Sequence, residues 1–266
     1  MHTEDLIISL DQGIARLTFN RPQARNAASP EMLEAILAFL LRAERDRSIR
    51  CIVFGGAGGH FMAGGDVRSF TTVAKLPPEE RLCTFEARVA RNAHLFNVLQ
   101  RLPQPVVSSV QGAAAGAGLG FAIASDLVVA ARSASFVLAH VNVGASPDAA
   151  TSWHLPRAVG VKQAMRMALL GEPITAEAAL AQGLISHVVD DENLAAFTDQ
   201  LVQRLANGPG VALAQAKSLI NRSLGNTLAE QLAAEARSMG IAAASEDFIE
   251  GPSAFLEKRK PAFRSA

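Results

Sequence analysis

Tyrosine is absent from the 266-residue chain, tryptophan occurs once, and aromatic residues make up only 5% of it. A mechanism that needs a phenol as general acid or proton donor is therefore excluded. Cys51 and Cys83 are the only cysteines, which sets no disulfide framework and forms no Cys-x-x-Cys pair. An excess of one charge is missing too, since 25 Lys+Arg stand against 25 Asp+Glu for a formal net charge of zero. That balance argues against a surface built to grip nucleic acid or an acidic membrane. Long apolar runs are also lacking. The longest uncharged stretch, Val106 to Ala124, is broken by Ser108, Ser109, Gln111 and several glycines, and falls short of a membrane span. The start, Met1-His2-Thr3-Glu4-Asp5, is acidic and unlike a signal peptide. Together these absences lead to the expectation of a soluble, cytoplasmic protein.

What is present is a globular composition, with 49% hydrophobic and 19% charged residues, in a length suited to one large domain or one with an appended piece. Leu6–Leu10 and Ile14–Phe19, separated by Asp11-Gln12-Gly13, predict a β-hairpin. Ser29-Pro30-Glu31 predicts a helix start, with Met32, Ile36, Phe39 and Leu40 on one apolar face down to Arg42. Further strands are predicted at Ile49–Phe54, Pro105–Val110, Leu127–Ala131 and Phe136–Ala139, with a helix from Pro78 to Leu102 and a small-residue turn and helix over Gly112–Ala124. Such recurring strand–turn–helix units suggest stacked ββα turns in an α/β core. From Asp148 onward the pattern is nearly all helical, with helices at Leu194–Ala206, Val211–Ser223, Leu228–Ala244 and Ser253–Lys258. A soft boundary falls near Gly208-Pro209-Gly210.

Two segments suggest chemistry. Phe61-Met62-Ala63-Gly64-Gly65-Asp66 follows a strand and a glycine-rich loop, where small residues let backbone N–H groups approach a ligand. Gly112 to Gly120 lies at the mouth of a helix, whose first N–H groups and positive dipole end are free. Aimed at one point, the two would form an oxyanion hole. Taken singly, each is more often a tightly packed turn. Neither is a nucleotide loop, because no Gly-Lys-Ser/Thr follows and Gly116-x-Gly118-x-Gly120 lacks the dinucleotide spacing.

The ordered motifs resemble the crotonase superfamily, the enoyl-CoA hydratase/isomerase family, over almost the whole chain. They run from Leu17-Thr18-Phe19-Asn20-Arg21-Pro22 with Asn26-Ala27, through Phe61–Asp66, Pro105-Val106 with Gln111-Gly112, and Ala124-Ser125-Asp126-Leu127. They continue through Leu155-Pro156-Arg157, Gly171-Glu172-Pro173-Ile174 and Ala179-x-x-x-Gly183-Leu184 to Phe255–Pro261. The resemblance implies an α/β fold: a ββα-spiral core over 1–207 holding an acyl-CoA site, and a C-terminal helical trimerisation region over 208–266. It implies a trimer, often paired into a hexamer, and an acyl-CoA substrate with coenzyme A as part of that substrate and no separate cofactor or metal. Some family members bind RNA, but the zero net charge gives that no support here. The thioester oxygen would be held by the N–H groups of Gly65 and Ala117. Coenzyme A contacts would fall at Arg25, Ala27, Ala63, Asp66, Val67 and Gly116, with Phe255 and Lys258 reaching a neighbouring subunit's CoA. Arg21 and Arg68 are further cations suited to its phosphates.

Hydratases of this family carry two glutamates around one water; by motif alignment these positions hold Gly120 and His140. Asp148 remains, where dienoyl-CoA isomerases place a base carboxylate and aryl-CoA dehalogenases a nucleophilic Asp. Its structural alternative is the first turn of a helix after Ser146-Pro147, where a carboxylate suits the dipole. His140 is either a structural histidine at a strand end or a second acid or orienting group. His94 is either a partly buried helix residue or the water-activating base of a dehalogenase-like site. Glu86 is a solvated residue or a pocket one, and Trp153 is core or pocket wall. One base fits double-bond isomerisation better than hydration. Hydrolysis with Asp148 as nucleophile and His94 or His140 activating water, and a non-catalytic acyl-CoA binder, are the alternatives.

Overall fold

The computed structural model describes residues 3–264, so Met1 and His2 of the acidic start lie outside them. The elements run β1 (Leu6–Asp11), β2 (Ile14–Phe19), α1 (Pro30–Ala43), β3 (Cys51–Gly56), α2 (Val67–Val73), α3 (Pro78–Arg101), β4 (Val106–Val110), β5 (Ala113–Ala115) and α4 (Ala117–Ala124). Then come β6 (Leu127–Ala131), β7 (Ser135–Val137), α5 (Thr151–Leu170), β8 (Ile174–Thr175), α6 (Ala176–Ala181) and β9 (His187–Val189). Helices α7 (Leu194–Ala206), α8 (Gly210–Ser223), α9 (Leu228–Ala243) and α10 (Glu246–Leu256) follow.

Six strands form the main sheet in the order β1-β2-β3-β4-β6-β9, antiparallel only at the β1–β2 hairpin; β5, β7 and β8 form a smaller second sheet. Ser29 caps α1 as its sequence suggests, its hydroxyl accepting the Met32 N–H at 3.1 Å. That helix buries Met32, Ala35, Ile36, Phe39, Leu40 and Ala43 against the sheet. Phe19, Phe54 and Phe121 meet at ring-centroid distances of 5.4 to 5.8 Å, and Phe96 reaches Phe121 at 5.2 Å. This aromatic cluster ties β2, β3, α3 and α4 into one core. The arrangement is the α/β crotonase-like fold expected from the motifs.

Several local expectations are corrected. The all-alanine β5 is a strand and not a turn, because it pairs in parallel with β7 on one side and its Ala114 bridges Met62 on the other. The strand expected over Phe136–Ala139 stops at Val137, and Ala139–Val143 winds into a 3-10 helix. Strands β8 and β9 interrupt the region expected to be nearly all helical, each completing a sheet edge. Helix α10 begins at Glu246 rather than Ser253 and runs through Pro252, with Glu246 and Asp247 in the first turn where the dipole favours them. Among the described residues, no helix is long and apolar enough to cross a membrane.

Gly208 and Pro209 separate α7, which lies against the main sheet, from α8. A partly buried ion pair ties α8 back to the core: Lys217 Nζ lies 2.7 Å from Asp126 and donates to the Gln104 carbonyl at 3.0 Å. Asp126 also accepts the Val106 N–H at 2.7 Å, at the entry to β4. Burial pushes the Asp126 carboxyl up, and the Lys217 ammonium opposes that push. Lys217→Met leaves this carboxylate unpaired, so the unfolding free energy is expected to fall by about 3 kcal/mol in urea titrations. A loss under about 0.5 kcal/mol, the range of an ordinary surface substitution, would contradict that role.

Candidate active site

The segment Phe61–Asp66 is stitched between two backbones. Met62 N–H donates to the Ala113 carbonyl at 3.1 Å, and Ala115 N–H donates back to Met62 at 2.9 Å. On its other side, Ala28 N–H donates to Gly64 at 2.8 Å and Ala63 N–H to Arg25 at 2.9 Å. Gly65 follows, and Ala117 opens α4 after the Gly116 turn. Among the described residues, the N–H groups of Gly65 and Ala117 donate to no group of the chain. The two segments adjoin, since a Cβ built on Gly64 would lie 3.7 Å from the Ala117 nitrogen. Two free N–H groups on adjoining backbones, one at a positive helix end, are the arrangement that stabilises a developing oxyanion.

Beside this backbone stands one acid–base pair. His140 Nε2 lies 2.9 Å from Asp148 Oδ1. His140 comes from the 3-10 helix after β7, not from a strand end. Its ring lies against the Gly116 turn, where an added Cβ would be 3.9 Å from Nε2. His140 Nδ1 is buried without a hydrogen-bond partner. A bare acceptor there costs less than a buried N–H with nowhere to donate, which assigns the proton to Nε2 and makes the imidazole the donor to Asp148. The histidine is largely closed off (11% side-chain exposure) while the carboxylate is open at 36%.

Asp148 does not sit in the first turn of a helix. Helix α5 starts three residues later, at Thr151, whose N–H and hydroxyl both donate to the Asp148 carbonyl, at 3.0 and 2.6 Å. Between them Ala149 and Ala150 hold φ of 52° and 56°. Left-handed backbone costs a non-glycine residue about 1–2 kcal/mol, so the packing around this loop sustains strain beside the carboxylate.

Asp148, Ala149, Ala150 and Ala117 open onto a cavity of about 510 Å³. Its apolar wall includes Leu33, Val89, Phe96, Phe121 and Trp153. Trp153 is pocket wall and half exposed, with the Arg157 guanidinium stacked 3.4 Å over its ring. Asn92, Asn97, Gln100 and His154 also line it. The sequence reading missed these four. The 92, 96/97, 100 spacing on α3 was the available signal, because it sets one helix face.

The family model described as enoyl-CoA hydratase/isomerase matches residues 9–266. The chain belongs to the enoyl-CoA hydratase/isomerase family. It is 41% identical over 260 residues to the 1,2-epoxyphenylacetyl-CoA isomerase of Escherichia coli (strain K12), covering 98% of each chain. It is 32% identical over 264 residues to the trans-2-decenoyl-[acyl-carrier-protein] isomerase of Streptococcus mutans serotype c, covering 99% of each. A crystal structure of an enoyl-CoA hydratase from Polaromonas sp. JS666 superposes with a TM-score of 0.89 at 33% identity, covering 97% of this chain and 99% of that one.

Gly120, the position expected from the motifs to correspond to the first hydratase glutamate, is sterically closed. A Cβ on Gly120 would lie 2.5 Å from the Ala149 carbonyl oxygen and 2.7 Å from its Cβ. The strained loop that presents Asp148 therefore fills the space a Gly120 side chain would need. Gly120→Glu is expected to destabilise the enzyme and to produce no hydration of an enoyl thioester, checked by thermal melting and product analysis. A folded variant that hydrates would contradict this packing argument.

The remaining expected residues divide. Arg21 is not a free cation for a CoA phosphate: it donates to the Ala27 carbonyl at 2.6 Å and to Asp66 at 3.0 Å, and lies 3.5 Å from Asp5. Asp66 is equally committed, capping α2 through the Arg68 N–H. The Arg68 and Arg21 guanidiniums hold its carboxyl at about 2. Buried Asn26 bonds Arg21, Ala57 and His60, so the Asn20–Ala27 motif braces the loop beneath Gly64. Arg25 is exposed at φ 49° with its carbonyl on Ala63, while Ala27 is buried and Val67 exposed at the start of α2. Phe255 is 82% exposed near the end of α10, with Lys258 just beyond at φ 55°, and neither lines the cavity in this chain. His94 is not in the site; it is exposed and lies near Glu44. Glu86 is exposed and lines no part of the cavity.

Proposed function

We propose that this enzyme moves a carbon–carbon double bond in an acyl thioester, with Asp148 as the single proton-carrying base. The observation that carries the reading is the Asp148 carboxylate at the cavity of Ala117, held by His140, with no second carboxylate among the cavity-lining residues. Two relatives named as isomerases support it. The thioester oxygen accepts hydrogen bonds from the Gly65 and Ala117 N–H groups. Asp148 takes a proton from C2 of a 3-enoyl thioester, and the electron pair spreads over the dienolate to that oxygen. The same carboxyl then returns a proton to C4, leaving the double bond at C2–C3 and Asp148 ionised again. His140 is a positioning residue: its Nε2–H fixes one carboxylate oxygen so that the other faces the substrate.

Product analysis on a 3-enoyl-CoA tests this. The conjugated 2-enoyl thioester is expected as the main product. A 3-hydroxyacyl product at a higher rate overturns it in favour of hydration. An acyl-enzyme on Asp148, trapped by mass spectrometry, overturns it in favour of nucleophilic hydrolysis; binding without turnover, in favour of a non-catalytic binder. Of the two histidines that could activate water in that hydrolytic reading, His94 is exposed and lines no part of the cavity, whereas His140 stands beside Asp148.

Residues 208–266 are assigned the subunit-contacting role, because Ile220, Leu224, Leu228, Leu232 and Phe255 are all more than half exposed on these helices. Light scattering is expected to show a trimer or its dimer.

A further inference from the structure

A cavity meant for hydrocarbon alone needs no hydrogen-bonding wall, yet this one has Asn92, Asn97 and Gln100 on α3 and His154 on α5. Among the described residues, none of these four side chains makes a hydrogen bond within the chain. Burial and the nearby Arg157 push the His154 imidazole down, so near neutrality it carries one N–H donor and one bare nitrogen. Asn92, Gln100 and His154 are half-buried and Asn97 is exposed, so an all-carbon acyl group lying against them would strip water from these groups and return nothing. A charged acyl group fares worse, because no Lys or Arg lines the cavity and Asp148 is its one carboxylate. A neutral oxygen, by contrast, can accept from each of the four residues. Leu33, Val89 and the open part of Trp153 supply apolar surface for the rest of a bulky group, backed by the buried rings of Phe96 and Phe121.

We infer that the site selects bulky acyl groups bearing a neutral oxygen acceptor, such as an ether, carbonyl or hydroxyl, over hydrocarbon groups of the same shape. The inference rests on the acyl-thioester reading above, but its test does not depend on turnover. Calorimetry compares cyclohexylacetyl-CoA with tetrahydropyran-4-ylacetyl-CoA, which differ by one ring CH2 for an oxygen. The ether is expected to bind wild-type enzyme about tenfold more tightly, the size of one or two hydrogen bonds. Asn97→Leu and His154→Leu are each expected to shrink that ratio, and the double variant to bring it close to one. Equal or tighter binding of the cyclohexyl thioester by wild type overturns the inference and leaves the acyl-thioester reading standing. So does a preference that the double variant leaves unchanged. Failure of both thioesters to bind overturns the two together. A missing isomerase activity leaves these affinities untouched and counts against the reaction alone.

Discussion

Asp148→Asn is expected to lower kcat/KM for double-bond isomerisation by about a thousandfold while leaving the fold intact. Asparagine has the shape of aspartate, and its Oδ1 still accepts from His140 Nε2, 2.9 Å away in the native pair. The strained Ala149–Ala150 backbone and the Asp148 carbonyl that caps Thr151 are untouched. What is lost is the basic oxygen. General base catalysis contributes about 10²–10⁴ in rate, and a thousandfold is about 4 kcal/mol of barrier. The upper half of that range applies because no second carboxylate lines the cavity to take over. Steady-state kinetics on a 3-enoyl-CoA, with a thermal melt as control, measures it. A variant within fivefold of wild type would remove Asp148 from the reaction.

Ala117→Pro is expected to lower kcat/KM by at least about a hundredfold with little loss of stability. Ala117 is the first residue of α4, the one helical position where proline is at home, since its N–H has no intrahelical partner. Gly116 precedes it at φ 52°, ψ −119°, outside the right-handed helical region that proline forbids its neighbour. The substitution therefore deletes the donor without breaking the helix. Losing one oxyanion donor costs about 10²–10³ in kcat, and the proline Cδ would also crowd the oxygen's place. Ala117→Ser, which keeps the N–H, is the control and should stay within tenfold of wild type. If the proline variant matched it, the thioester oxygen would have to be held elsewhere.

How much of this was legible depended on whether local patterns set the geometry. Ser29-Pro30 announced α1, and the small residues at Gly64–Gly65 and Gly116–Ala117 announced backbone donors, because these are properties of a few consecutive residues. The absence of glutamate at Gly120 was legible as chemistry, but its steric reason was not: the Ala149 carbonyl comes from a loop 29 residues away, bent by two alanines in a backbone region alanine avoids. The His140–Asp148 contact spans eight residues of irregular chain, where no periodicity says which side chains meet. His94 and Glu86 were ambiguous because α3 buries only Leu95, Phe96, Val98 and Leu99 near its end, so most of its surface could face anything. Arg21 looked like a cation for a phosphate, but its guanidinium pairs with Asp66 at 3.0 Å, a partner 45 residues away that no local pattern reveals.

The most direct test of the central claim is hydrogen exchange at C2 of phenylacetyl-CoA in D2O, followed by NMR. This thioester has an acidic proton to lose and no double bond to move, so exchange isolates proton removal from everything that follows. Wild-type enzyme is expected to wash deuterium into C2, and Asp148→Asn and Ala117→Pro to slow that exchange by at least about a hundredfold. Exchange in Asp148→Asn at the wild-type rate would contradict the account, as would wild-type enzyme that binds the thioester and leaves its C2 hydrogens in place.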